Sequence, residues 1–169
     1  MAEITNKNML SPVGFSFNIQ RLPNMNFFVQ SVTLPGITAS TTEQISPLRA
    51  IPIPGDKIEY SELEVTFKID ENMNNYIEVF NWIRALGFPD NNDQYKALED
   101  QPSYTGGGIY SDATLTILSS AMNPNIKIEI TDLFPVSLTP IEMNSTQSDI
   151  EYLEASVAFR FLGYSFTQL

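Results

Sequence analysis

Cysteine and histidine are both absent from this chain of 169 residues. Without them there is no disulfide framework, no thiolate nucleophile and no ordinary zinc site. The imidazole base of most triad hydrolases is missing as well. An enzyme built on this chain would have to work with carboxylates, Lys, Tyr or Ser. Positive charge is scarce: Lys and Arg number 9 against 20 Asp and Glu, a formal net charge of −11. A surface that grips phosphate needs clustered cations, so sequence-specific nucleic-acid binding is not expected, whereas lying beside DNA without holding it is compatible with the charge. No stretch approaches the roughly 20 apolar residues of a membrane-spanning helix. Residues 1–8 carry no basic segment followed by an apolar run, so the reading is of no secretory signal and of folding in a cytoplasm. Asn144-Ser145-Thr146 is then a chance match to a glycosylation sequon.

What is present is a globular composition, 43% hydrophobic and 11% aromatic. The length suits a single domain over 1–169, which can bury about 68–70% of the surface of its unfolded chain. Strict alternation over residues 13–20 sets Val13, Phe15, Phe17 and Ile19 against Gly14, Ser16, Asn18 and Gln20, the pattern of a half-buried strand. A second strand is read over 25–34, rich in Phe27, Phe28, Val29 and Val32, and the two are expected to pair as a hairpin across Leu22-Pro23-Asn24. Residues 57–69 alternate again, with Leu63, Val65, Phe67 and Ile69 opposite Glu62, Glu64, Thr66 and Lys68. Ile58 and Tyr60 have the opposite parity, so a bend is expected near Ser61.

Helical spacing of Met73, Tyr76, Ile77, Phe80, Ile83 and Leu86 predicts one helix over about 72–87, preceded by capping acids and closed by Gly87 and Pro89. Its Trp82 reads as a core or interface anchor. Residues 88–110, poor in apolar side chains, read as an exposed loop. Strands follow over 111–119 and 126–133, the latter closed by Leu133-Phe134-Pro135, then a short segment over 136–141 and a last strand over 151–166. The fold class is therefore mainly β: two antiparallel sheets rolled into a barrel or sandwich, with one flanking α-helix.

Residues 37–57 do not fit a core strand. Pro47, Pro52 and Pro54 fall close together, and proline sits badly in a central strand. Yet Ile45, Leu48, Ile51 and Ile53 are apolar, a liability unless something covers them. The reading is a long extended hairpin arm that packs on another chain. An ordinary surface loop folded back on its own core is the plainer alternative.

Chemical constellations are weak. Gly106-Gly107-Gly108 lacks the Lys and the following helix of a phosphate-binding loop. Asp90-Asn91-Asn92-Asp93 lacks the glycine and the distant bidentate Glu of a calcium loop. Glu62 and Glu64 would need a shared cleft to act as acid and base. No catalytic residue, cofactor or metal is expected. A monomeric barrel holding an apolar ligand among Phe15, Phe17 and Phe67 is a further alternative, and a carboxylate hydrolase ranks last.

Several segments, taken in order, resemble the tail tube proteins of contractile bacteriophages of the T4 type. They are Val32-Thr33-Leu34-Pro35-Gly36, Pro54-Gly55-Asp56, the stretch Tyr60 to Phe67, the helix with Trp82, Ile128 to Pro135, and Glu154 to Phe161. The resemblance implies a structural, non-enzymatic subunit of the virion. Hexameric rings would stack into a tube whose neighbouring strands join into an inner β-barrel. It implies a sheath outside, tape measure protein and genomic DNA in the lumen, baseplate and terminator proteins at the ends, and no membrane binding. The arm residues would be Ile45, Leu48, Ile51, Ile53 and Asp56. The candidates for the lumen lining are Glu62, Glu64, Thr66, Lys68, Glu129, Thr131, Glu154 and Ser156. Baseplate tube initiators and the inner tubes of secretion and pyocin machines share the fold and stay open as alternatives.

Overall fold

The computed structural model describes residues 9–45, 47–87, 93, 95–96, 108–146 and 152–169. The expected 88–110 loop lies almost wholly outside the described residues. The first strand, β1 (Phe15–Ile19), buries Phe17 and Ile19 and turns Ser16 and Asn18 outward, as its alternation requires. Val13, expected on the buried face, is 79% exposed because the strand begins after it.

The chain does not then turn back as a hairpin. Pro23–Asn26 form one helical turn, α1, with Pro at its start, where a fixed φ and a missing amide hydrogen cost nothing. Met25 of that turn is fully buried. Asn26 reaches back to the last residue of β1, accepting from the Ile19 amide at 2.8 Å and donating to its carbonyl at 3.1 Å. That side chain occupies the backbone edge a hairpin partner would need. The next strand, β2 (Val29–Thr33), pairs instead with β5 (Leu63–Lys68), while β1 pairs with β6 (Ser111–Leu118).

The remaining elements are β3 (Ile37–Ile45), β4 (Ala50–Tyr60), α2 (Asn74–Gly87), β7 (Pro124–Leu138), β8 (Glu154–Arg160) and β9 (Gly163–Gln168). Strands 126–133 and 136–141, expected to be separate, are one element. β7 runs straight through Pro135, with a register shift against β8 between Pro135 and Ser137 that accommodates the proline. It bends where Asp132 takes a positive φ of 54°, a conformation Asp tolerates better than most residues. The Asp132 amide donates to Asp112 Oδ1 at 3.2 Å. The expected final strand is split in the other sense: β8 stops at Arg160, and β9 returns along the first half of β7.

The bend in β7 makes two layers out of one ladder. Its first half lies between β6 and β9, and its second half pairs β8. The strand path is β1-β6-β7-β8-β5-β2, with β9 attached to β7. β1 and β2 end the path without pairing to each other, so the sheet wraps as an open sandwich and not as a closed barrel. One core cluster fills it. Phe17, Ile19, Leu115, Ile128 and Ile130 come from one layer, and Leu63, Val65, Phe67, Val157 and Phe159 from the other. Phe17 and Phe67 are thus core members, not the walls of a ligand cavity.

Candidate functional site

The arm is the most exposed element. β3 and β4 pair only with each other, from Ile37↔Tyr60 to Ile45↔Ala50. Every residue of β3 is exposed, and so is every residue of β4 except Gly55. Ile45 and Leu48 at the tip are 92% and 95% exposed, whereas Ile51 and Ile53 are near 40%. The alternative of a loop folded onto its own core is excluded by this exposure. A bulge between Ala39 and Thr41 brings Ser40 against Gly55. A Cβ on Gly55 would meet the Ser40 side-chain oxygen and lie 2.8 Å from the Ser40 carbonyl oxygen, so only glycine fits there. Ser40 Oγ accepts from the Lys57 amide at 3.2 Å. Asp56 sits one residue past this close approach.

At its base the arm is fastened to the sandwich. Tyr60 packs against Phe161 and Tyr164, with ring centroids 5.5 Å and 5.4 Å away. The Tyr164 hydroxyl donates to the Pro35 carbonyl at 3.2 Å, and Ser61 exchanges backbone and side-chain bonds with Gly36. The break between β4 and β5 at Ser61 and Glu62 is where the parity change placed a bend.

The residues proposed for a lumen lining fall on two faces, because the sandwich has two outward sides. Glu64, Thr66 and Lys68 of β5 stand opposite Ala158, Ser156 and Glu154 of β8. Thr66 and Ser156 share a hydroxyl hydrogen bond of 2.9 Å. Glu62, beside the start of β5, accepts from Arg160 Nε at 3.1 Å. These six candidates make one continuous polar face, extended by Ser31 and Thr33 of β2. Glu129 and Thr131 belong to the other layer. Glu129 faces Thr114 on β6 and Ser165 on β9, and it pairs with Lys127 at 2.6 Å. A single lumen face therefore cannot contain all eight candidates.

Trp82 lies in the core, 2% exposed, its indole donating to the Ile109 carbonyl at 3.2 Å and its ring near Phe159. The Arg21 guanidinium stands 4.8 Å from the centre of that ring, and Arg21 also donates to the Gly108 carbonyl. Sequence reading passes over two residues that position these parts. Asn75 is fully buried, donating to the Lys68 carbonyl at 2.7 Å and accepting from the Tyr76 amide at 2.8 Å. Glu78 on α2 accepts from Asn24 of α1 with one oxygen, while the other is shut away from solvent with no partner among the described residues. Burial raises its pKa above the usual carboxylate value, against the lowering effect of Asn24 and with a smaller push from Asp70. An Asn near a helix start after Asp70 carried a capping signal; Glu78, on the helix surface by spacing, carried none.

The molecule is thus a sandwich with two polar outer faces and a two-stranded arm fastened at its base, with exposed apolar side chains at its tip. The family model for phage tail tube proteins matches residues 3–167, and the chain belongs to that family. No curated protein matches it in sequence. Its fold is similar to that in a structure of the anti-feeding prophage tube-terminating cap, with a TM-score of 0.63 and 14% identity, covering 99% of this chain and 97% of that one. It is similar to chains in two structures of an extracellular contractile injection system. For the PVC sheath/tube terminator the TM-score is 0.64 at 14% identity, covering 95% of this chain and 98% of that one. For the PVC sheath–tube complex it is 0.60 at 15% identity, covering 96% and 94%.

Proposed function

We propose that the chain is the repeating structural subunit of a tail tube, assembling into hexameric rings that stack inside a contractile sheath. The observation that carries this reading is an arm whose two strands are exposed at every residue but Gly55, in a chain matched almost end to end by a tail tube family. Apolar residues such as Ile45 and Leu48 need a covering surface, and their own sandwich does not supply it. A head-to-tail contact closes into a ring when its rotation closes, and stacked rings give an open filament.

The face shared by β5 and β8 is the better candidate for the lumen. It holds Glu62, Glu64 and Glu154 against Lys68 and Arg160, a formal charge of −1 from three acids and two bases. Both cations have company: Arg160 on Glu62, and Lys68 over the Tyr152 ring at 5.5 Å. A wall of this kind lets DNA slide, since each phosphate gripped by a free cation would add to the hold. In this reading the partners are the sheath, the tape measure protein, DNA in transit, the baseplate and the terminator. The particle is a virion tail assembled in the bacterial cytoplasm. The second reading is a subunit that begins or ends the tube, because the similar folds include chains from a cap and a baseplate structure.

Electron microscopy of the purified chain over a concentration series tests both. Long hollow tubes of uniform width are expected; single rings that never stack would favour the tube-end reading. Replacing residues 42–53, which lie between the paired Thr41 and Pro54, by Asn-Gly should leave a folded sandwich that no longer polymerises. Long tubes from that variant would remove the arm from the assembly.

A further inference from the structure

Besides its two apolar side chains, the arm tip carries a cation, Arg49, in a chain with few of them. Elsewhere on the surface a groove of about 730 Å³ opens beside the β5–α2 connection and the segment that enters β8. Phe28 and Ile69 line it together with Met73, Met143 and Tyr152. Met143 and Tyr152 are 72% and 74% exposed, so apolar surface is open at this spot. Asp70 and Glu71 lie in the same lining. The groove's own cation, Lys68, is drawn over the Tyr152 ring, which leaves the carboxylates in excess.

We propose that this groove receives the arm tip of a second copy of the chain. Leu48 and Ile45 enter the apolar part, and Arg49 meets Asp70 and Glu71. The proposal rests on the tube reading and adds to it the receiving site and the ion pairing that selects it. Two observations favour this occupant. Pro52 and Pro54 withhold amide hydrogens from β4, which blunts that edge of the arm against strand addition and favours contact through side chains there. Another apolar groove, between α2 and β7, is lined by Phe80, Ile83 and Val136, and no carboxylate stands among its described lining residues. That lining offers Arg49 no opposite charge, whereas the carboxylates of Asp70 and Glu71 attract it.

The chain has no cysteine, so an introduced pair reports only on itself. Full-length Leu48→Cys protein is mixed with full-length Met143→Cys protein and oxidised. The control mixture pairs Leu48→Cys with Phe80→Cys in the other groove. The mixed disulfide dimer is expected in at least tenfold greater yield with Met143→Cys. In parallel, Arg49→Glu should raise the concentration needed for assembly about tenfold, and adding Asp70→Lys and Glu71→Lys to the same chain should bring it back. Equal disulfide yields from a sample that forms rings would overturn the groove and leave the tube standing. Equal yields, with wild-type protein dispersed at every concentration, would overturn both.

Discussion

Asn75 joins the end of β5 to the start of α2 through one side chain, with its amide on the Lys68 carbonyl and its oxygen on the Tyr76 amide. Truncating it would take a partner from a partly buried carbonyl and a partly buried amide, and an unpaired group of this kind is costly. Asn75→Ala is expected to lower unfolding stability by about 1–3 kcal/mol in urea titration. Glu78 acts in the opposite sense. Its folded pKa is raised, so the folded state holds the proton more tightly than the unfolded state. Stability is then lost as pH rises from the ordinary carboxylate range through the raised value, where the unfolded chain gains by ionising first. Glu78→Gln should raise the melting temperature at pH 7 and change it little at pH 4. A variant equally stabilised at both values would show that desolvation of the charge is not the cause. Trp82→Ala, which empties a packed and hydrogen-bonded site, should cost about 3–5 kcal/mol by the same titration.

Among the elements, the arm and β7 show how local pattern and long-range pairing divide the work. The arm's conformation depends on glycine at 55, since any Cβ there collides with backbone across the bulge. Gly55→Val should therefore distort the arm and impair polymerisation, measured by sedimentation. Far-ultraviolet circular dichroism should still report a folded sandwich, because the two-stranded arm shares no strand pairing with the core sheet. Loss of the whole fold in that variant would mean that the arm base is needed for the sandwich to close. β7 is the joint between layers, and its bend rests on Asp132 and on the Asp112 carboxylate that receives its amide. Nothing in the local sequence separates a strand that ends at Pro135 from one that passes through it. The outcome depends on whether a partner strand can shift register there, and β8 does.

For the whole molecule, the question is which outer face meets the lumen. Tubes carrying Glu64→Lys and Glu154→Lys are expected to retain DNA in a salt-dependent manner, with wild-type tubes releasing it under the same conditions. Equal retention by both would mean that the β5–β8 face does not line the bore. The same comparison on the other layer, with Glu129→Lys, is expected to change nothing inside the tube.

The amino-acid sequence alone determined the mainly β class, the position of α2, the bend near Ser61 and the anomaly of residues 37–57. All of these rest on neighbours within one turn or one strand: alternation with period two, helical spacing, and prolines set among exposed apolar residues. Tertiary structure alone decided that β1 and β2 join different layers, that β7 is continuous, that β8 and β9 are separate, and that Glu129 and Thr131 face away from Glu64 and Ser156. Alternation states which side chains are buried, but it does not say which strand lies next across the sheet. That choice is made by hydrogen bonds and core contacts between residues far apart in the chain, such as Asn26 closing the edge of β1 and Phe159 packing on Trp82.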